Sequence, residues 1–325
     1  MNVVQKVIKY CAMAFAVFLS VTILGSIIAV VLGLAMEGGF YDERERINLS
    51  ERYSVAELEE LGIERIFVDC PAEILVKPGT ELAIEAQNVT EDYRIRCSNG
   101  TFRLESKRKN FLFSFSFSLF GREKEQGTVV VTVPEGYMPK EFKIDSGVLP
   151  VVVENLNTEK LAVDSGSGNV TITALQAEKL HMDTGSGWVS ITDTAVKETS
   201  VDSGAGRVKV ENSELGVLHL DSGSGTVEFR NVTAEDVKVD SGSGAVEWTG
   251  GLTGRCYFDT GSGRVSLQLA GTEADYRLRI DSGSGAVRVN GRKTGDGSYG
   301  TNVRGELQID SGSGAVTISF DEDQR

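Results

Sequence analysis

Proline, histidine and cysteine are scarce in this sequence: five, two and four, respectively, among 325 residues. So few histidines and cysteines leave little material for a zinc site or a disulfide-dense scaffold. So little proline excludes a proline-rich linker or a collagen-like chain. Positive charge is also short, with 33 Lys and Arg against 47 Asp and Glu and a net charge of −14. That balance argues against a nucleic-acid partner, because phosphate binding needs a basic patch. Glycine, in contrast, is abundant at 37 residues, and glycine without proline points to many tight turns. Hydrophobic residues are 40% and charged residues 25% of the chain, enough apolar material for a packed core.

Residues 10–36 carry no charged side chain. As a helix this stretch would be about 40 Å long at 1.5 Å per residue. It exceeds the roughly 20 residues that span a bilayer and the roughly 7–15 apolar residues of a cleaved signal peptide. The expectation is a short cytoplasmic tail (1–9) and a retained transmembrane signal-anchor helix (10–36), with the bulk of the chain extracytoplasmic. Cleavage near Leu34-Ala35-Met36 is the competing reading. Cys11 lacks a lipobox before it, which argues against a lipoprotein. Lys6 and Lys9 precede the stretch, whereas Glu37, Asp42, Glu43 and Glu45 are mixed with Arg44 and Arg46 after it. The immediate flank is therefore positive only on the amino-terminal side. Lys6 and Lys9 are the only charges before residue 37, so removing them from −14 leaves −16 for the rest. This charge reads as ordinary solubility, the alternative being that it repels the domain from anionic headgroups.

Residues 37–62 read as a juxtamembrane linker. Within it, Ser54-Val-Ala-Glu57 is a capping-box pattern and Gly62 a stop, which predicts one or two helical turns over 54–61. Residues 63–143 read as an irregular β region. Its short runs of period 2 are Ile66–Val68, Ile74–Val76, Leu82–Ile84, Tyr93–Ile95, Phe102–Leu104 and Val129–Val133. Val76-Lys-Pro-Gly79 reads as a turn between two of them. Phe111, Phe113, Phe115, Phe117 and Leu119 would share one face of an extended segment that follows Lys107, Arg108 and Lys109. That segment either buries its aromatics against the β structure or forms an exposed flap that touches membrane or a partner. Cys70 and Cys97 could pair in an exported domain.

The most informative signal is a repeat. Asp-Ser/Thr-Gly-Ser/Ala-Gly begins at Asp164, Asp183, Asp202, Asp221, Asp240, Asp259, Asp281 and Asp310, with a degenerate first copy at Asp145. Steps from Asp145 to Asp259 are all 19 residues, followed by 22 and 29. The longest step contains Asn290–Gly300, which reads as a loop insertion. Six residues after each Asp stands valine, from Val151 to Val316. Apolar side chains also occupy the places one residue before and eight after, and three before except at Thr199. Each copy therefore reads as strand, five-residue turn, strand. One copy cannot bury its apolar face alone, whereas stacked copies bury a continuous core. The predicted fold is all-β: a β-solenoid of 19-residue coils over residues 144–320, with an N-terminal transmembrane helix and an acidic tail at 321–325. A propeller or an antiparallel meander is the competing architecture. Nine coils at ~4.8 Å would make a rod of about 43 Å.

The Asp column is the sole repeated ionisable constellation. Adjacent carboxylates about 5 Å apart would repel by about 1 kcal/mol in water. The local account is an Asx-type turn, with Asp accepting backbone N–H groups, hydroxyls adding donors and Gly supplying positive φ. The functional account is a cation ladder. His181 and His219 fall on outward positions two coils apart, Cys256 in an apolar column, and Trp248 in an inward one. Trp188 follows its turn directly and is either a sugar-stacking platform or edge packing. No residue is singled out as catalytic, cofactor-binding or metal-ligating, no cofactor is expected, and the chain reads as a non-enzyme.

Three stretches carry a resemblance: Ile66-Phe-Val-Asp-Cys-Pro-Ala-Glu-Ile-Leu-Val-Lys-Pro-Gly79, Val131-Thr-Val-Pro-Glu-Gly136, and the serial Asp-Ser-Gly-Ser-Gly copies. Over about residues 63–320 the chain resembles a bacterial family of β-strand-repeat proteins labelled as adhesins. Their function is unknown, and they are related to the auto-transporter adhesin head GIN domains. Relatives carry Gly-Asp after the turn, where this chain has Asn169, Trp188, Arg207 or Ala245. The resemblance implies a membrane-associated bacterial surface protein with no established ligand. The expected function is adhesion or envelope scaffolding through cell-wall glycan or envelope proteins. The alternative is a part of an envelope-stress system acting through partner membrane proteins. Polysaccharide cleavage in the manner of β-helix lyases is a third.

Overall fold

A computed structural model of the chain describes residues 45–106, 127–300 and 304–321. The apolar stretch 10–36, Cys11, the Phe111–Phe120 segment and most of the acidic tail lie outside the described residues. Among the described residues no helix is long and apolar enough to cross a membrane. Arg46–Arg325 form one compact unit.

The described strands join into a single sheet wound on itself. A representative winding begins with Asn157–Ser165, turns through Gly166–Asn169, continues as Val170–Thr173, and bends at Ala174 into the strand Gln176–Thr184 of the next winding. Successive windings pair in parallel and in register: Asp164 with Asp183, Asp183 with Asp202, Asp202 with Asp221. Parallel pairing rules out the meander and the propeller. The apolar columns lie inside, so Leu161, Val163, Val170 and Ile172 are fully buried and their counterparts stack above them. Each such side chain contributes about 1.5–3 kcal/mol on burial.

The turn is held differently from the Asx-type expectation. Among the repeat aspartates, Asp281 alone has a carboxylate that accepts a turn N–H, from Gly283 at 3.3 Å. Turn N–H groups instead reach the carbonyls of the preceding winding, as Gly185 N–H does to Ser165 at 3.1 Å and Ser186 N–H to Gly166 at 3.1 Å. The hydroxyl after the Asp points inward and in seven of the nine copies donates to the carbonyl three residues on, for example Ser165 to Gly168 at 3.2 Å and Thr260 to Gly263 at 3.0 Å; those of Thr184 and Ser203 find no partner among the described residues. Nor do the turn glycines serve positive φ, save Gly283 at 53°. They are needed because turns stack backbone on backbone: a Cβ on Gly225 would lie 1.7 Å from the Gly206 carbonyl oxygen. The left-handed residues sit at the second corner instead, in the column Asn155, Ala174, Asp193, Asn212 and Asn231, with φ between 49° and 54°. Asn and Asp tolerate that region better than other L-residues. Their recurrence ten residues after Asp145, Asp183, Asp202 and Asp221 was a readable signal that the strand–turn–strand pattern passed over.

The stack is longer than the nine repeat copies. Arg65–Asp69 and Thr101–Ser106 add two parallel layers beneath Glu141–Asp145, with Asp69 beside Asp145 and Glu105 beside Asp69. Cys70 thereby takes the inward place that serine holds above it. Eleven layers at ~4.8 Å extend about 50 Å. Pro78 lies within the strand Glu73–Gly79, and the bend falls at Thr80 and Glu81, just after the Val76–Gly79 stretch that the sequence suggested. Beyond Val76 that strand pairs on one side only, so the missing N–H of Pro78 breaks no ladder.

Chain order and stack order diverge at the carboxyl end. The final winding, Gly305–Phe320, inserts between the Asp259 and Asp281 windings, so that Asp310 pairs with Asp259 on one side and Asp281 on the other. The segment expected as a loop insertion holds two strands, Arg292–Thr294 and Gly297–Gly300, which pair antiparallel on the outermost layer. At the other end Tyr93–Ser98, Leu82–Thr90 and Arg46–Tyr53 do the same. Both ends of the parallel stack are thus covered by antiparallel strands, which shields the open edges from adding further chains. A six-residue helix, Val55–Glu60, is capped by Ser54, with reciprocal bonds to Glu57, and tucks the buried Leu58 into the core.

Candidate functional site

Side chains that leave the stack form long columns on its flanks. The Asp column is the first. Asp183, Asp202, Asp221, Asp240 and Asp259 line a shallow trough with Lys238 and Tyr257. Burial and the neighbouring Asp69 and Asp164 hold the Asp145 carboxyl above its ordinary value. Burial and Asp240 do the same to Asp221. Repulsion is partly relieved at one end, where Lys238 Nζ meets Asp240 at 2.5 Å. There the Tyr257 hydroxyl also donates to Asp259 at 3.1 Å and Asp310 at 3.0 Å. Among the described residues no group of His, Cys, Asp and Glu is arranged to hold a metal ion.

A second groove runs along the corner that joins one winding to the next. Its floor is apolar, with Ala177, Val196, Leu215, Ala234 and Leu252 in successive layers, and Tyr137 and Met138 close one end. The Lys197–Glu178 pair and Glu214 and Glu235 stand along its rim.

A third surface is the outward side of the strands Val170–Thr173 and Val189–Thr192. Thr171 faces Ser190 and Thr173 faces Thr192 across the ladder. Trp188 continues this outward row and is 48% exposed. Its backbone is fixed at both ends: the N–H donates to Asn169 Oδ1 at 3.0 Å and the carbonyl accepts from Val170 N–H at 2.8 Å.

The remaining candidates separate. His181 and His219 are exposed and two layers apart. Cys70 and Cys97 are both free, the first buried and the second exposed, so the possible bridge is absent. Burial pushes the Cys70 thiol up to about 12 and that of Cys256 up to about 11. Such thiols are poor nucleophiles. Trp248 is a core residue at 1% exposure, tilted on Phe229 at 4.2 Å between ring centres. Trp188 is about half exposed, and neither its clamp by Asn169 nor the hydroxyl array beside it was picked out from the sequence. Both follow from the 19-residue register.

Solved structures resemble the chain at low identity. A "putative adhesin" from Bacteroides fragilis is 15% identical, with TM-score 0.42 over 85% of this chain and 98% of that one. A "putative lipid binding protein" from Parabacteroides distasonis is 12% identical, with TM-score 0.48 over 85% and 97%. A "putative cell adhesion protein" from Clostridium sporogenes is 13% identical, with TM-score 0.25 over 85% and 100%. No curated protein matches the chain. A family model described as Toastrack DUF4097 matches residues 63–319. That stretch takes in both the two layers before Asp145 and the interleaved final winding, and the chain belongs to the Toastrack DUF4097 family.

Proposed function

We propose that the protein is a non-catalytic binding module of the bacterial cell envelope, held at a membrane by residues 10–36 with the stack on the outer side. The observation that carries this reading is the repetition of outward columns in register along a stiff stack of parallel layers. Repeated, evenly spaced surface groups suit a repetitive or extended ligand, because each weak contact recurs once per layer. Cell-wall glycan and envelope proteins are the partners that this surface is fitted to meet.

The test is retention of the purified full chain on isolated cell envelopes. Saturable retention supports the reading. No retention, together with altered envelope-stress signalling on deletion, supports the regulatory alternative instead. Anchoring is tested separately. The chain should stay in the membrane fraction through alkaline extraction, and removal of residues 1–36 should release it. In intact cells a membrane-impermeant maleimide should label Cys97, the exposed thiol, if the stack lies outside.

A further inference from the structure

We propose that Trp188 and the hydroxyl array beside it form a binding site for a neutral glycan chain. This rests on the binding-module reading and names its ligand class. Two neighbouring strands present Asn169, Thr171 and Thr173 on one and Trp188, Ser190 and Thr192 on the other, at alternate positions that face outward together. None of the hydroxyls of Thr171, Thr173, Ser190 and Thr192 has a hydrogen-bond partner among the described residues. All four are partly exposed, on a sheet whose spacing fixes them about 5 Å apart across the strands and about 7 Å along them. The patch carries no charge. Glu154 bounds it on one side, and on the other stand the exposed Arg207, in register beside Trp188, and the Lys209–Glu211 pair, 2.7 Å apart.

Each element matches a pyranose. The indole offers a broad face of negative quadrupole, against which the apolar C–H face of a sugar ring stacks. Hydroxyls both donate and accept, as sugar hydroxyls do. The Trp188 backbone is also held before binding, by Asn169 and Val170, so binding has no main chain to order there. The flanking charges offset one another, Lys209 being paired with Glu211 and Arg207 balancing Glu154, so an anionic ligand gains little here and faces a chain of net charge −14, and a cationic one would be drawn to the Asp column instead. Neutral sugar is the class that this surface favours.

The two tryptophans make the test direct, because Trp248 is 1% exposed and Trp188 48%. The full chain, kept in mild detergent, is titrated with N-acetylglucosamine hexamer, cellohexaose and maltohexaose while tryptophan fluorescence is followed. A saturable change with at least one sugar is expected. Trp188→Ala should abolish it, and Thr171→Val with Ser190→Ala should weaken binding about tenfold. A wild-type chain that shows no saturable change with any of the three overturns the site, as does a change that persists in Trp188→Ala. Retention on cell envelopes is measured in parallel. Retention without sugar binding leaves the binding-module reading standing and removes this site.

Discussion

Asp259 lies beside Asp310, not beside Asp281, and the Tyr257 hydroxyl bonds both carboxylates at 3.1 and 3.0 Å. A winding that comes last in the chain is thus sandwiched between two earlier ones. Cysteine pairs can read this order. Ser266 and Thr317 are direct neighbours, within the roughly 4.4–6.8 Å that a disulfide spans. Ser266 and Arg288 are two layers apart, about 9.6 Å at ~4.8 Å per layer. The Ser266→Cys and Thr317→Cys pair should cross-link under mild oxidation, seen by gel mobility, and the Ser266→Cys and Arg288→Cys pair should not. The reverse pattern would contradict the interleaving.

Gly225→Ala should be severely destabilising. Its Cβ would sit 1.7 Å from a backbone oxygen of the layer below, so one layer must shift, at a cost of about 3 kcal/mol or more. Gly295→Ala has open space and should leave the melting temperature nearly unchanged. Thermal melts of the two variants compare them directly.

Thr199 interrupts a column otherwise filled by leucine near it, with Leu180 and Leu218 on either side. It is 1% exposed, and its hydroxyl finds no partner among the described residues. Thr199→Val removes a buried unpaired polar group and should stabilise by about 1–2 kcal/mol, read by denaturant unfolding.

Asp221→Asn should stabilise near neutral pH. The folded-state pKa of Asp221 is raised, by burial and then Asp240. A raised carboxyl favours folding below its unfolded value, and the advantage is lost as pH rises through the folded one. Neutralising it therefore helps most above the carboxylate range, by about 1–3 °C in melting temperature. The gain should shrink toward acid pH, where the wild-type carboxyl is itself protonated. A gain that does not depend on pH would point to a cause other than charge.

The winding itself was legible because its columns repeat without exception at Val151 through Val316, and a buried face cannot slip register by one residue without turning outward. The capping box at Ser54 was legible for a local reason, since both its partners lie within four residues. Stack order was not legible. The Asp281 and Asp310 copies present the same inward columns, so nothing local decides which rests on Asp259. Asp69 was hidden because Cys-Pro-Ala follows it in place of Ser-Gly. The clamp on Trp188 depends on a partner 19 residues away, and shows only once the register is known.

The interleaved winding has a mechanical consequence. In a simple coil the last turn peels away first, and loss proceeds layer by layer from the free end. Here the terminal segment is gripped on both flanks, so tension on the carboxyl terminus must shear two ladders at once and open a slot beneath the outermost layer. The tail end should resist pulling as a locked joint rather than fray.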